Sequence, residues 1–327
     1  MFGFKRDKAP KIEQFVVGGN PPPPSSAPAM DKPAGKPMIP PPPIFRPLAF
    51  REVGKSINVL LGADYPTNGI RLDAKSVTST GVNFSVNGLR DSKTGAISGE
   101  MRTRYHDKVH GVIFSEGWNS NNVLSSTIEF CNTLSPGLRL EVSGSFNPTN
   151  GNKNARVAAD YKKRNIFSRC NIDLFKGPTV NADFCIHQNG VLVGGDASYN
   201  LRDSKLTRYN VGVAYNTPEY SLALQAFEGF NTYAASYFHK IKPELEAGTK
   251  ATWNKSSAGP VNIEFGTRYI LNKDAFVKAK IDMNGRLGLG YTQNLDNGVR
   301  VSVGGSFDTQ RLGENVHKVG MNLSFFQ

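Results

Sequence analysis

From residue 69 to the end of the chain, apolar and polar side chains take turns with a period of two. In 261–269, Val261, Ile263, Phe265, Thr267 and Tyr269 fall on one face, and Asn262, Glu264, Gly266 and Arg268 on the other. In 207–215, Tyr209, Val211, Val213 and Tyr215 oppose Arg208, Asn210, Gly212 and Ala214. In 319–325, Val319, Met321, Leu323 and Phe325 oppose Gly320, Asn322 and Ser324, with Lys318 just ahead on the polar side. About nineteen such runs, each of roughly ten residues, follow one another between short Gly, Asn, Asp, Pro and Lys turns. Ahead of them the period is helical. Phe50, Val53, Ile57, Leu60 and Leu61 form a stripe, with Arg51, Glu52, Lys55, Ser56 and Asn58 on the opposite face. This predicts a helix over about 48–62 that stops at Gly62.

So many alternating strands in series, with no helices between them, exceed what one sandwich holds. A closed barrel in lipid accommodates them. Its apolar face meets hydrocarbon and its polar face lines water, and closure leaves no unpaired edge. Tyr105, Tyr161, Tyr199, Tyr215, Tyr269 and Tyr291 end the apolar rows, where an interfacial aromatic girdle belongs. The expected fold is therefore all-β, a transmembrane barrel of nineteen strands over about 69–326 within a 47–327 domain.

Composition adds three points. Glycine is abundant, at 33 of 327 residues, with 31 Tyr and Phe, as a curved sheet requires. Twelve of the 20 prolines precede residue 47, so residues 1–46 read as a disordered proline-rich extension. The net charge is +12, and from residue 47 onward 32 Lys or Arg stand against 24 Asp or Glu. Such a surplus suits nucleic acid or an acidic membrane, but inside a pore it favours anions. Mean hydropathy is only −0.37, because lumen residues dilute the lipid-facing ones. The first residues lack a secretory leader's apolar core and cleavage site, which points away from a bacterial outer membrane and toward a barrel made in the cytosol.

Parity assigns candidate residues. Arg71, Arg139, Arg156, Arg169, Arg208, Lys250, Arg268, Lys278, Lys280 and Lys318 fall on the polar face as pore-lining, anion-attracting groups. Asp73, Glu141, Asp160, Asp173, Asp196, Glu246, Glu264 and Asp282 share that face, so the bias is weak. Lys55 joins the basic set if the helix lies in the lumen. Glu116 is the exception, since its parity is that of Val112, Phe114 and Trp118, which makes it a membrane-facing acid. Cys131, Cys170 and Cys185 match neither a disulfide framework nor a zinc site, and the five histidines have no ligand spacing. No catalytic constellation, metal site or cofactor motif is expected, and Gly288-Leu-Gly290 lacks the third glycine and following helix of a dinucleotide loop.

Several stretches together resemble the voltage-dependent anion channel family, the general porins of the mitochondrial outer membrane. Phe50-Arg-Glu-Val-Gly54-Lys55-Ser56 is similar to that family's N-terminal helix, and Phe114-Ser-Glu116-Gly-Trp118-Asn119 to its fourth strand. Gly137-Leu138-Arg139, Tyr161-Lys-Lys-Arg, Gly177-Pro178 and His317-Lys318-Val319-Gly320 fit its later strands. Tyr269 through Gly288-Leu289-Gly290-Tyr291-Thr292-Gln293 follows its long signature, departing at Asn272, Lys273 and Met283. The resemblance implies a parallel pairing of first and last strands, the helix inside the pore, and voltage-gated diffusion of ATP, ADP, phosphate and small organic anions. It also implies weak nucleotide contact at Leu287, Gly288, Leu289 and Gly290, an insertion signal at Lys318, Gly320, Leu323 and Phe325, and a role in gating and oligomer contacts for Glu116. The expected partners are the lipid bilayer, further copies of the chain and outer-membrane or import complexes, but not nucleic acid. Two rival readings are a protein-import channel of the same superfamily, which the proline-rich extension favours, and a soluble β-rich binding module.

Overall fold

Each alternating run pairs with the next by a short turn, and the turns show why. At Gly137 the backbone turns through φ +86°, and a Cβ there would drive into the Lys162 carbonyl. In the turn after residue 90, the Asp91 carboxylate accepts the N–H groups of Lys93 (2.8 Å) and Thr94 (2.9 Å). The Thr94 N–H first, then that of Lys93, hold its carboxyl below the usual range.

The computed structural model describes residues 49–326, apart from 176, 258, 296, 297 and 315. The extension predicted over 1–46 lies outside the described residues. Nineteen strands form one sheet: β1 (Gly69–Val77), β2 (Val82–Arg90), β3 (Ile97–Asp107), β4 (Val112–Asn119), β5 (Leu124–Cys131), β6 (Leu138–Phe146), β7 (Lys153–Lys163), β8 (Ile166–Asp173), β9 (Thr179–Gln188), β10 (Val191–Asn200), β11 (Lys205–Asn216), β12 (Tyr220–Phe227), β13 (Thr232–Lys242), β14 (Leu245–Asn254), β15 (Asn262–Ile270), β16 (Ala275–Asp282), β17 (Arg286–Leu295), β18 (Val299–Asp308) and β19 (Lys318–Phe326). Successive strands are antiparallel, and β1 closes the ring by pairing parallel with β19, Gly69 opposite Gly320 and Lys75 opposite Phe326. An odd number of up-and-down strands can close only with one parallel pair. Closure gives every strand two neighbours, the condition for β-structure in hydrocarbon. No helix among the described residues is long and apolar enough to cross a membrane.

The predicted helix is divided. A 3-10 turn covers Phe50–Glu52, the chain reverses at Gly54 in the left-handed region (φ +69°), and α1 runs over Lys55–Gly62. The cause is the curved wall beneath it. The break turns Phe50 and Val53 toward Phe167, Cys185, Leu192, Ala214 and Ala223. It turns Ile57, Leu60 and Leu61 toward Phe238 instead. One straight helix would keep its stripe in a single direction.

The inner face is fixed by α1. A Cβ on Gly248 would meet the Ile57 side chain, and one on Gly266 that of Leu61. Following register from there, residues opposite one another share a face. The outer face carries the large apolar side chains, with Leu224 65%, Phe265 55% and Trp118 55% exposed, and inward Leu192 fully buried. The six girdle tyrosines all lie on the outer face. An apolar skin of this extent is incompatible with a soluble binding module.

Candidate pore

The lumen wall has two unlike parts. Beneath the N-terminal segment, from β8 to β15, the inward positions include Phe167, Cys185, Leu192, Ala214, Ala223, Phe238, Gly248 and Gly266. Small or apolar side chains there accept the helix stripe. The segment is also tied at its start, where the Phe50 N–H donates to Asp183 Oδ1 (3.1 Å).

Across β3 to β7 no helix among the described residues covers the wall, and its inward side chains include a run of charges that extends to Arg169 on β8. Arg139 stands between three carboxylates, 2.7 Å from Glu141, 3.3 Å from Asp160 and 3.5 Å from Glu129. Arg169 joins Asp160 at 3.1 Å and Glu141 at 3.7 Å, and Arg104 joins Glu129 at 3.5 Å. This is a band of mixed sign drawn from five of the six strands β3–β8; β4 supplies no charge to it, and Arg104 reaches across that strand to Glu129. Arg156 pairs with Asp173 at 3.0 Å beside it.

Every basic residue that parity placed inward points into the lumen, and the register puts the eight acids there too. Their circumstances differ. Arg71 pairs with Asp73 (3.0 Å), Arg208 with Asp196 (3.5 Å), and Arg268 with Glu246 (3.4 Å). Lys55 pairs with Glu52 on the helix at 3.0 Å. Lys250 donates to Asn58 Oδ1 at 2.9 Å. Lys318 makes no ion pair among the described residues. Lys278 and Lys280 depart from the expectation of anion-attracting groups. Lys278 is only 2% exposed and donates to the carbonyls of Val59 (2.9 Å) and Ala63 (2.8 Å), and Lys280 donates to that of Leu61 (2.6 Å). Both bind the helix rather than the lumen water. Spacing alone showed parity but not the helix end above them.

The proposed nucleotide contact at 287–290 also changes. These residues are mid-strand, so their side chains alternate. Leu289 faces outward opposite Ala279 and Gly305, and Leu287 shares that face. Gly288 and Gly290 face inward, but the Lys280 stem and the Asp64 carbonyl fill the space a Cβ would take. No concave loop exists there to hold a phosphate. Between the helix and β7–β14 lies a crevice of about 630 Å³ lined by Arg156, Asn171, Asp183, Arg208 and Lys250 among others, a polar space that the 287–290 stretch does not border.

Glu116 lies on the outer face, in register with Thr103 on β3 and Ser126 on β5, between Phe114 and Trp118. It is exposed and makes no ion pair among the described residues. In β19, Leu323 and Phe325 point outward while Lys318 and Gly320 point inward. The linker residue Tyr65, outside the strands, has its hydroxyl pushed above the usual range by burial and then by Asp64.

The family model for eukaryotic porins matches residues 46–320. The mitochondrial outer membrane protein porin of Candida albicans is 38% identical over 280 residues, covering 85% of this chain and 99% of that protein. The protein of the same name in Neurospora crassa is 36% identical over 278 residues, covering 85% and 98%. Human non-selective voltage-gated ion channel VDAC1 is 29% identical over 282 residues, covering 85% and 98%. A closed ring of nineteen strands with apolar skin, charged lumen and an internal helix is thus joined to sequence similarity over 85% of the chain, and the chain belongs to the eukaryotic porin family.

Proposed function

We propose that this protein is a channel of the mitochondrial outer membrane through which ions and small metabolites diffuse. The observation that carries this reading is the opposition of the two faces: exposed Leu, Val, Phe and Trp outside, paired charges inside, on one closed sheet. Hydrocarbon solvates the first and water the second. The permeants are nucleotides, phosphate and small organic anions. Selectivity is weak, because most lumen cations already face a carboxylate and the surplus, not the total, sets the bias. Lys250 and Lys318, which form no ion pair among the described residues, contribute to that surplus, with Lys55, Arg71, Arg139, Arg156, Arg169, Arg208 and Arg268 as neutralised wall. Closure by voltage, oligomer contacts at Glu116 and membrane insertion directed by Lys318, Gly320, Leu323 and Phe325 belong to the same reading.

Recording from the full chain in planar bilayers tests it. The expected result is large steps with a reversal potential on the anion side in a salt gradient. Absence of conductance, or a cation-side reversal potential in the open state, would refute it. A protein-import role would instead show itself as stable copurification with small import subunits.

A further inference from the structure

The last carbonyls of α1 run short of backbone donors, as those of every helix do, although the Val59 carbonyl still accepts the Ala63 N–H (3.1 Å). Here lysines from the wall meet them. The Lys278 side chain rises from β16 and its ammonium engages three acceptors: the carbonyls of Val59 (2.9 Å) and Ala63 (2.8 Å), and Asp64 Oδ2 (3.3 Å). An ammonium has three N–H donors, so none remains for a permeant. Lys280, two residues along the same strand, takes the Leu61 carbonyl. The ring of Tyr65 stands over both, 5.3 Å from the Lys278 nitrogen and 4.8 Å from that of Lys280.

The neighbouring strands are shaped to the same end. Gly290 and Gly288 lie directly opposite Lys278 and Lys280. A Cβ on Gly288 would stand 2.8 Å from the Lys280 stem, and one on Gly290 would strike the Asp64 carbonyl. On the next two strands, a Cβ on Gly304 would lie 2.8 Å from Pro66, and one on Gly320 3.0 Å from the Asn68 nitrogen. These four inward glycines make a trough across β17–β19 in which the chain from Asp64 to Asn68 runs from the helix to β1.

We propose that Lys278, assisted by Lys280 and the glycine trough, is the positioning residue that locks the inner segment to the wall and so sets the open cross-section of the pore. The second half of the statement rests on the channel reading; the first does not. Without the Lys278 ammonium, the Ala63 carbonyl and the Asp64 carboxylate lose this donor, and the Val59 carbonyl keeps only the Ala63 N–H. Losing the bonds of a lysine whose side chain is 2% exposed shifts a docking equilibrium by about 5- to 150-fold.

The test uses the full chain in lipid nanodiscs. Amide hydrogen exchange over 55–66 is compared for the native protein, Lys278→Met, Lys280→Met, Gly290→Ala and Lys75→Met. The last removes an inward lysine that stacks on Phe326 and touches no part of the helix. Exchange over 55–66 is expected to rise about 5- to 150-fold in Lys278→Met, with strand amides unchanged, and to rise also in Gly290→Ala, where crowding displaces Asp64. Lys75→Met is expected to leave it at the native rate. Exchange in Lys278→Met and Gly290→Ala within about twofold of native would overturn the lock. If Lys278→Met does not fold, Lys280→Met and Gly290→Ala decide the matter alone. Single-channel recording then tests the cross-section: an unsteady open level in Lys278→Met but not in Lys75→Met supports it. A steady native level in both overturns that half even where exchange has risen. A native protein that conducts nothing refutes the channel reading, and the exchange data still judge the lock.

Discussion

The wall beneath the helix and the bare wall belong to one continuous sheet, yet they hold themselves in opposite ways. Beneath the apolar stripe of α1 the inward positions are small or apolar, Phe238, Gly248 and Gly266, and the contacts are packing, with Ile57 and Leu60 each 2% exposed, while lysines hold the flank and end of the helix. From β5 to β8 the inward positions are long and charged, and the contacts are ion pairs around Arg139 and Asp160. A lumen face that meets water tolerates charge, and one that meets a helix stripe requires the reverse. The alternation of a strand says which residues look inward, and only the third element decides what they must be.

The sharpest way to break this contrast is to remove the stripe. Ile57→Ala and Leu60→Ala each delete buried methylenes at a site the rigid barrel cannot close over, a loss of about 2–5 kcal/mol of docking per substitution. Trypsin cleavage after Lys55 in the folded barrel is expected to accelerate at least about 30-fold in either variant, since 2 kcal/mol is that factor. The barrel's own unfolding midpoint should stay in place. A fall in the midpoint would mean that the helix supports the sheet, and the two walls would no longer be independent.

A smaller effect is expected on the bare wall. Asp160 is 7% exposed in its side chain and serves both Arg139 and Arg169. In Asp160→Asn those guanidiniums keep Glu141, so the loss is held to about 1–3 kcal/mol, discounted by the 36% exposure of Arg139. Urea unfolding in vesicles should shift down by that amount. One negative charge has left the lumen, so the reversal potential should move toward the anion side. A stability loss without a selectivity shift would place the network outside the conduction path.

The outer face offers a third comparison, between Glu116 and its apolar neighbours. Glu116→Gln removes a carboxylate from the lipid side and is expected to stabilise the barrel in a bilayer by about 1–2 kcal/mol, less than the relief from removing a lysine at similar depth. The gain should vanish in detergent that wets the belt. No gain in a thick bilayer would mean that the side chain reaches the headgroups.

These three regions were not equally legible in the chain. Period two exposed the strands, their number and the inward set, because a strand offers only two faces and water or lipid must match each. The outward parity of Glu116 was readable for the same reason. The helix was visible as a stripe, but its division at Gly54 was not, since that answers to the curvature of a wall distant in sequence. Nor could spacing separate Lys278 from Lys250. Both are inward lysines on a strand, and only the helix end lying above one of them makes it an anchor. The glycines at 288 and 290 carried a signal, that something approaches closely, without saying that it is residues 64–65 rather than a ligand.

The smallest expected effect draws the finest line. Lys55, on the inner segment, and Lys278, on the wall against it, are both lumen lysines beside a carboxylate at about the same distance, 3.0 Å to Glu52 and 3.3 Å to Asp64. Lys55 is 62% exposed in its side chain and Lys278 2%. For Lys55→Met the change in docking should stay within about 0.5 kcal/mol, because an exposed pair gives up to water nearly all that it gains. Its selectivity shift should be small and should disappear at 1 M salt, where screening reaches about 3 Å. The buried lysine's hold on the helix carbonyls is a set of hydrogen bonds shielded from counterions, so high salt should leave it intact. If salt loosens both lysines alike, burial is not what separates them, and the contrast between the covered and bare walls loses its physical basis.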